Sequence, residues 1–493
     1  MDFFFKFEPT SIHYIDVILI VVYMLSILAF GFYIGREVKD SSDFFIAGRS
    51  LAWWVVGLSI VGSNLGSIDY VGASGGAYSI GVAQANFEWI GAIPAMIVCS
   101  FFFIPFYWKT GVFSIPEYLG LRYNQFVRIL SAGILCIFSI LSIGIFLWST
   151  ALMLHTYLGW PLGFSIIATA IVVGIYSVTG GLKAVAITDT IQVFIMLAGS
   201  FGLAYMGIQK VGGMGNFLTE LNTNYPDHLR AFLPSDHPKF PWPGVLLGLA
   251  IVLSPAYWCT NQVILQRCLG AKSLWDSQAS LIFAAFTKTV APFLIILPGF
   301  LVLILTTEKL DHQDQVLPWI IKNVLPPGLS GILFVAFIAA LQSSVDSTLN
   351  STATLVTRDI YGVLSKSPKD DKKDLKIGKW VTASALVFGV VSAPLTSRFE
   401  GIYEFIQIIL SFFQGPMFSL MLFGILSKIP TPKSGLISLI AGLIFSMILG
   451  YFKINMLYIA FFSFVFSTAC LIGFGFFTEK LDEEKLKTLT FGK

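Results

Sequence analysis

Charge is what this chain lacks most. Only 12% of its 493 residues are Asp, Glu, Lys or Arg, about half the share usual in a soluble domain. Hydrophobic residues make up 56% and the mean hydropathy is +0.79, which excludes an ordinary soluble enzyme and places the chain in a bilayer. No polar segment outruns the stretch from Lys210 to Pro241, so a separate catalytic module has no room and one integral domain, 1–493, is expected. A net charge of +3 is too small to suggest nucleic acid. The five cysteines, Cys99, Cys136, Cys259, Cys268 and Cys470, sit in or beside apolar runs at no metal-ligand spacing and read as packing thiols. The five histidines, His13, His155, His228, His237 and His312, form no metal motif. A nucleotide-binding motif is absent as well. The N-terminus, MDFFFKFEPT, is acidic as well as basic and precedes no small-residue cleavage site, so no cleaved signal peptide is expected.

Present instead are long apolar runs. Thirteen have bilayer length, the first over residues 13–35 and the last two within 434–477. An odd number puts the termini on opposite sides. With the C-terminus inside, the cytoplasmic connections hold 22 of the 31 Lys and Arg, seven of them from Arg358 to Lys379, against eight outside and Lys288 within a span. The excess of basic residues belongs on the cytoplasmic side, so the N-terminus is predicted outside. The outer segment 210–241 is polar and Pro-rich and is expected to cap the outer entrance without regular helix. The inner run Ser365 to Lys379 reads as a solvated charged linker.

The stretch WWVVGLSIVGSNLGSIDYVGASGGAY, Trp53 to Tyr78, is long enough to cross yet poorly suited to lipid. Gly57, Ser59, Gly62, Ser63, Asn64, Gly66, Ser67 and Asp69 weaken a helix and offer oxygens. Interrupted backbone at membrane depth survives only where protein or a water-filled cavity surrounds it. The stretch is therefore predicted to be a discontinuous helix lining a midplane site. A second interrupted run, Leu246 to Arg267, contains Ser254-Pro255, where proline removes a donor and restricts its neighbour. Five spans separate the two starts, so they run in opposite directions. Residues 51–209 and 242–426 are thus expected to be inverted five-helix repeats, with 13–35 and 434–477 peripheral.

Ionisable groups inside spans are functional candidates by default. They include Glu88, between Phe87 and Trp89, and Lys288, more than ten residues from either end of its run; Gln407 joins them as a buried amide. Interfacial, snorkelling and helix-packing roles are the plain alternatives. In the ninth span Ala340, Ser343, Ser344 and Ser347 fall at i, i+3, i+4 and i+7. Such a face suits close packing and also a cage of oxygens for a hard cation such as sodium, with carbonyls freed near Gly62 and Leu65. Asp346 borders that face and needs a cation or a proton as partner.

Several blocks in order, DFFIAGRSLAWWVVGLSIVGSNLGS (43–67), FEW (87–89), YSVTGGLKAVAITDTIQ (176–192), YWCTNQVILQRCLGAK (257–272) and SSVDSTLNSTATLVTRDIY (343–361), are similar to the sodium/solute symporter family, most of all its sodium/glucose and sodium/galactose branch. The resemblance covers about residues 13–450. It implies an all-α, LeuT-like membrane fold in the cell membrane, with sodium as coupling ion and a sugar as cargo. It also implies sugar contacts at Asn64, Glu88, Ser254, Tyr257, Trp258, Lys288 and Gln407, with Tyr257 as inner gate. The main sodium would meet carbonyls of Gly62, Leu65 and Ala340 and hydroxyls of Ser343 and Ser344. Asp69 stands near the sugar where relatives commonly carry His or Gln. Asp346 replaces a small or hydroxylated residue, and with Asp189 and Ser347 it reads as a second sodium set, a proton carrier or a structural group. Asp189 reads equally as a helix-start carboxylate. Other readings within reach are symport of a polyol such as myo-inositol, a sodium-conducting channel, and a transporter-like sensor. Glu88 argues against anionic cargo, and a sensor would carry a signalling domain, expected absent after Phe477.

Overall fold

Hydrocarbon offers no partner to a peptide group, so a chain this apolar must close its backbone hydrogen bonds within itself. The computed structural model describes residues 2–8, 12–35, 41–66, 68–306, 309–365, 370–399 and 401–491. Among them are helices and two isolated bridges, but no strand. In chain order the elements used below are α1 (Tyr14–Gly35), α2 (Trp53–Asn64), α3 (Ser74–Ile80), α4 (Gln125–Leu158), α5 (Leu162–Val211), α6 (Ser254–Thr260), α7 (Gln262–Leu269), α8 (Leu274–Leu305), α9 (Leu329–Thr354), α10 (Asp371–Ser392), α11 (Ile402–Leu426), α12 (Pro432–Tyr451) and α13 (Met456–Phe477).

Ten helices among the described residues are long and apolar enough to cross a bilayer, and Tyr14–Ile27 and Leu162–Ile175 are shorter apolar helices. Two continuous helical elements hide reversals. Along α8, Asp276 meets Trp53, Gly299 lies against Ser74 and Ala77, Thr289 accepts from Trp89, and Gln278 pairs with Ser100. The chain therefore climbs to Ile80, turns at Gly81 (φ 68°), and descends through residues 88–110. Likewise α5 holds 50 helical residues, about 75 Å if straight. Yet Gly163 near its start lies against Phe3 and Phe4, whose neighbour Glu8 bonds Gly159, and Lys210 near its end bonds Asn323 on that same side, beside the start of α9, while Leu182 lies at Gly270 on the other. The element doubles back. Splitting both at their reversals gives a path compatible with thirteen passes, although helix length and composition alone qualify ten.

The most buried helix, α9, is the axis of the bundle and packs chiefly on α5. Its small residues allow that approach, and its hydroxyls bond back to carbonyls one turn earlier: Ser344 to Ala340 (3.0 Å), Thr348 to Ser344 (2.7 Å) and Thr352 to Thr348 (2.7 Å). Such pairs satisfy the hydroxyl proton and leave its lone pairs available.

The first break stands where the sequence places it. Helix α2 stops at Asn64, Leu65 leaves helical geometry (φ −79°, ψ 58°), and the chain resumes as a π-helical turn over Asp69–Ala73. Ser67 lies outside the described residues. The second break differs from expectation. Ser254 and Pro255 sit inside a continuous helix, because a wide π-helical stretch over Val245–Leu253 precedes them and its longer hydrogen-bond spacing absorbs the missing proline donor. The interruption falls at Asn261, which is extended (φ −78°, ψ 121°) and caps Val263 N at 2.9 Å. Two connections differ as well. The outer segment forms a helix over Met214–Asn224 before Pro226 ends it, and it covers the Gly81 turn through His228 to Tyr78 O (3.1 Å) and Asn86 to Ala231 O (2.5 Å). The inner linker becomes helical from Asp371, capped by Asp370.

On the outer connection Asp314 Oδ2 accepts from Ile402 N at 2.9 Å, capping α11, with His312 Nδ1 3.5 Å away. Burial pushes the Asp314 carboxyl up to about 6, against the opposing pull of His312 and the Ile402 amide. A carboxyl raised in the folded state stabilises fully below its unfolded value near 3.8 and loses that contribution as pH rises toward 6. Thermal melting in detergent should therefore find Asp314→Asn gaining on the wild type between about pH 4 and 6, by up to ~3 kcal/mol, and level above. A gap that does not change with pH would contradict it.

Candidate functional site

The two broken helices meet. Asn64 Nδ2, the last residue of α2, donates to the hydroxyl of Tyr257 in α6 at 3.2 Å. Around that contact lies a cavity of about 100 Å³ lined by Asn64, Asp69, Glu88, Ser254, Tyr257, Trp258 and Gln407, together with Tyr403, Gln414 and apolar side chains including Phe87 and Phe146. Seven of the eight residues expected to hold a solute thus share one cavity; Lys288 is not in its lining. A second cavity of about 60 Å³, lined by Thr260, Asn261, Thr348 and Ser351, abuts the first. Ser63, Phe146 and Tyr257 border both, so the Tyr257 ring stands in the partition.

Lys288 acts from behind. Its Nζ lies 2.7 Å from Glu88 Oε2, and the two side chains are 1% and 8% exposed. Glu88 itself sits where a tight 3₁₀ segment, Gly81–Phe87, widens into a π turn, Glu88–Ala92, the kind of irregularity that re-aims side chains at sites. On α11, Tyr403, Gln407 and Gln414 present hydroxyl and amides to the same cavity from one helical face.

The break in α2 presses against α9. A Cβ at Gly66 would overlap Ser344 Oγ, so only glycine permits the approach. Ser344 Oγ also donates to Ser63 O at 3.3 Å, and Ser63 Oγ lies 3.4 Å from Ser343 Oγ. Gly66 N–H, which in a continuous helix would close onto the Gly62 carbonyl, is held instead by Asp69 Oδ2 at 3.1 Å. Asp69 therefore both lines the cavity and holds the break open. Gly62, Leu65, Ala340, Ser343 and Ser344 are all buried at this junction.

Asp189 and Ser347 come together, but around a residue the sequence singled out only as the end of the second interrupted run. Arg267, at the end of α7 and 1% exposed, contacts Asp189 Oδ2 at 3.1 Å and Ser347 Oγ, and its Nε donates to Ser59 Oγ at 2.7 Å. Ser59 and Ser63 donate to the same carboxylate oxygen at 2.5 and 3.2 Å. Asp189 lies seven residues, about two turns, into the leg of α5 that runs Leu182–Val211, beyond the first turn in which a helix-start carboxylate acts. Asp346 takes a hydrogen bond from Ser177, on the earlier leg of α5, rather than facing Arg267 with the other two.

The model of the sodium:solute symporter family matches residues 44–442. The chain belongs to that family. Among relatives of this symporter, the sodium/glucose cotransporter of Vibrio parahaemolyticus is 32% identical over 473 residues, covering 90% of this chain and 87% of the relative. The mouse sodium/glucose cotransporter 1 is 33% identical over 472 residues, 87% and 70% of the two chains. A substrate-bound outward-open sodium-coupled sialic acid symporter superposes with TM-score 0.87 at 23% identity, covering 96% of this chain and all of the other. That likeness establishes a LeuT-like fold, and family membership makes this a multi-pass membrane transporter coupled to sodium.

What sequence reasoning missed in the symporter has identifiable signals. Tyr403 precedes Gln407 by one helical turn, so the pair was available as a shared face. Arg267 carried no such mark, because a buried arginine near a span end looks like any interfacial charge until its partner is located. Removing one member of the buried Lys288–Glu88 pair strands the other, which costs about 3–5 kcal/mol. Lys288→Ala should accordingly lower the melting temperature sharply, and Glu88→Gln combined with Lys288→Met should recover most of it. A single variant that melts like the wild type would show the pair to be solvated.

Proposed function

We propose that this symporter couples inward sodium movement to uptake of a hexose such as glucose or galactose, by alternating access and without any enzymatic step. The observation that carries the reading is the cavity at the Asn64–Tyr257 contact, where two interrupted helices place polar groups and aromatic walls together. A hexose presents a ring of hydroxyls and a less polar face. Asn64, Asp69, Glu88, Ser254 and Gln407 supply donors and acceptors, Tyr257 and Trp258 supply rings, and Lys288 positions Glu88. Residues 51–209 and 242–426 are read as the inverted repeats, with 13–35 and 434–477 peripheral, the N-terminus outside and the C-terminus cytoplasmic.

The coupling sodium is assigned to the carbonyls of Gly62, Leu65 and Ala340 and the hydroxyls of Ser343 and Ser344, oxygens suited to a hard cation. Sodium there would tie α2 to α9 and favour the arrangement that admits sugar, while Tyr257 keeps the inner path shut until both solutes are bound. Arg267 already neutralises Asp189, which favours one sodium per cycle over a second at Asp189, Asp346 and Ser347. One charge moved through 100 mV supplies about 2.3 kcal/mol, roughly forty-fold in accumulation.

Uptake of labelled hexose into proteoliposomes tests this. The wild type should require a sodium gradient, unlabelled hexoses should compete better than myo-inositol, and Ser344→Ala should raise the half-saturating sodium concentration at least tenfold. Stronger competition by inositol would reassign the cargo. Intact coupling in Ser344→Ala would refute the sodium assignment.

A further inference from the structure

Helix α1 lies outside the proposed repeats, and its residues Val17, Ile18, Val21, Val22 and Leu25 are exposed, as expected of a face turned to lipid. Its opposite stripe, Asp16, Ile20, Tyr23 and Ile27 at spacings of four, three and four, packs inward. Two of those four are polar. Asp16 accepts from Gly328 N (2.7 Å), Gly331 N (2.9 Å) and Ser330 Oγ (2.9 Å), which caps the start of α9 and accounts for its burial. Tyr23 has no such end to cap. Its hydroxyl donates to Gln342 Oε1 at 2.7 Å and accepts from Gln192 Nε2 at 3.2 Å, and all three residues are buried.

The two amides are placed with some consequence. Gln342 immediately precedes Ser343 and Ser344 on α9. Gln192 follows Asp189 by three residues on α5, one turn along the same face. One phenol thus joins the two helices whose next residues meet the broken end of α2. The groove on the membrane side of Tyr23, about 520 Å³, is walled by aliphatic groups of Leu19, Val22, Ile27, Ile195 and Val335. Directly, the two amides make only a long contact, Gln192 Nε2 to Gln342 Oε1 at 3.5 Å; Gln342 Nε2 makes another to Met24 Sδ, 3.7 Å, again on α1, and Gln192 Oε1 has no hydrogen-bond partner among the described residues.

We infer that Tyr23 is a positioning residue for the coupling cation: the peripheral helix fixes, through its hydroxyl, the spacing of α5 and α9 at the level of Ser343 and Asp189. The inference rests on the sodium assignment made above. Losing the hydroxyl leaves the two buried amides to tighten their own 3.5 Å contact, so the oxygens facing the ion are displaced, while the sugar groups on the far side of α2, α6 and α11 keep their partners.

The test is the sodium dependence of labelled hexose uptake in proteoliposomes for the wild type, Tyr23→Phe, Gln192→Leu and a control, Tyr14→Phe, whose ring is exposed. Tyr23→Phe and Gln192→Leu should each raise the half-saturating sodium concentration about three- to tenfold. The hexose KM at saturating sodium and the melting temperature should stay near wild type, and the control should match it throughout. An unchanged sodium requirement in both variants overturns the inference, as does a parallel loss of hexose affinity and melting temperature, which marks a general packing role. Ser344→Ala separates the two levels: if it keeps coupling, the sodium assignment and this inference fall together, whereas its loss beside an unaltered Tyr23→Phe removes this inference alone.

Discussion

A peptide group stranded in hydrocarbon costs several kcal/mol, and everything distinctive here follows from how two interrupted helices meet that cost. At the first interruption Val61 O keeps Leu65 N (2.7 Å), Gly66 N turns to the Asp69 side chain, and Ser63 O receives Ser344 Oγ. At the second, the Asn261 side chain caps Val263 N. Asp69, Ser344 and Asn261, which make the side-chain repairs, also face the junction between α2 and α9 or the cavities beside it. On the proposed reading, structural satisfaction and solute recognition fall to the same side chains.

Charge is handled in neutral pairs. Glu88 with Lys288 and Asp189 with Arg267 bring four ionisable groups into the bundle, each within about hydrogen-bond reach of its partner. Held this way, Glu88 stays an oriented acceptor at the cavity wall, since a carboxylate fixed by a buried cation has little freedom to turn. Asp189 similarly gathers Ser59 and Ser63, residues of α2 just before its end, and so ties the inner half of the broken helix to α5.

Much of this was legible in the sequence because it is written in residue types with local meaning. Glycines, serines and Asn64 within an apolar run signal an interrupted span, and the hydroxyl spacing of the ninth span gives a face. Ser254-Pro255 misled, since proline's missing donor has two remedies, a break or a widened π turn, and only tertiary packing selects between them. Asn261, a good capping residue before an apolar run, was the better marker. The reversal inside α5 was legible as well, since the sequence divides that element into two apolar runs, 160–178 and 187–209, although helical geometry carries through the turn. Arg267 with Asp189 and Tyr23 with Gln342 were invisible for another reason: their partners are 78 and 319 residues away, and a single sequence carries no register between distant helices.

The most direct test of the account is an ion-resolving structure of the protein determined in sodium and again with sodium replaced by choline. The account expects density in sodium alone, at cation–oxygen distance from the Gly62, Leu65 and Ala340 carbonyls and the Ser343 and Ser344 hydroxyls, with α2 interrupted at Asn64. An ion bound elsewhere, or α2 continuing unbroken through Asp69 with sodium present, would contradict it.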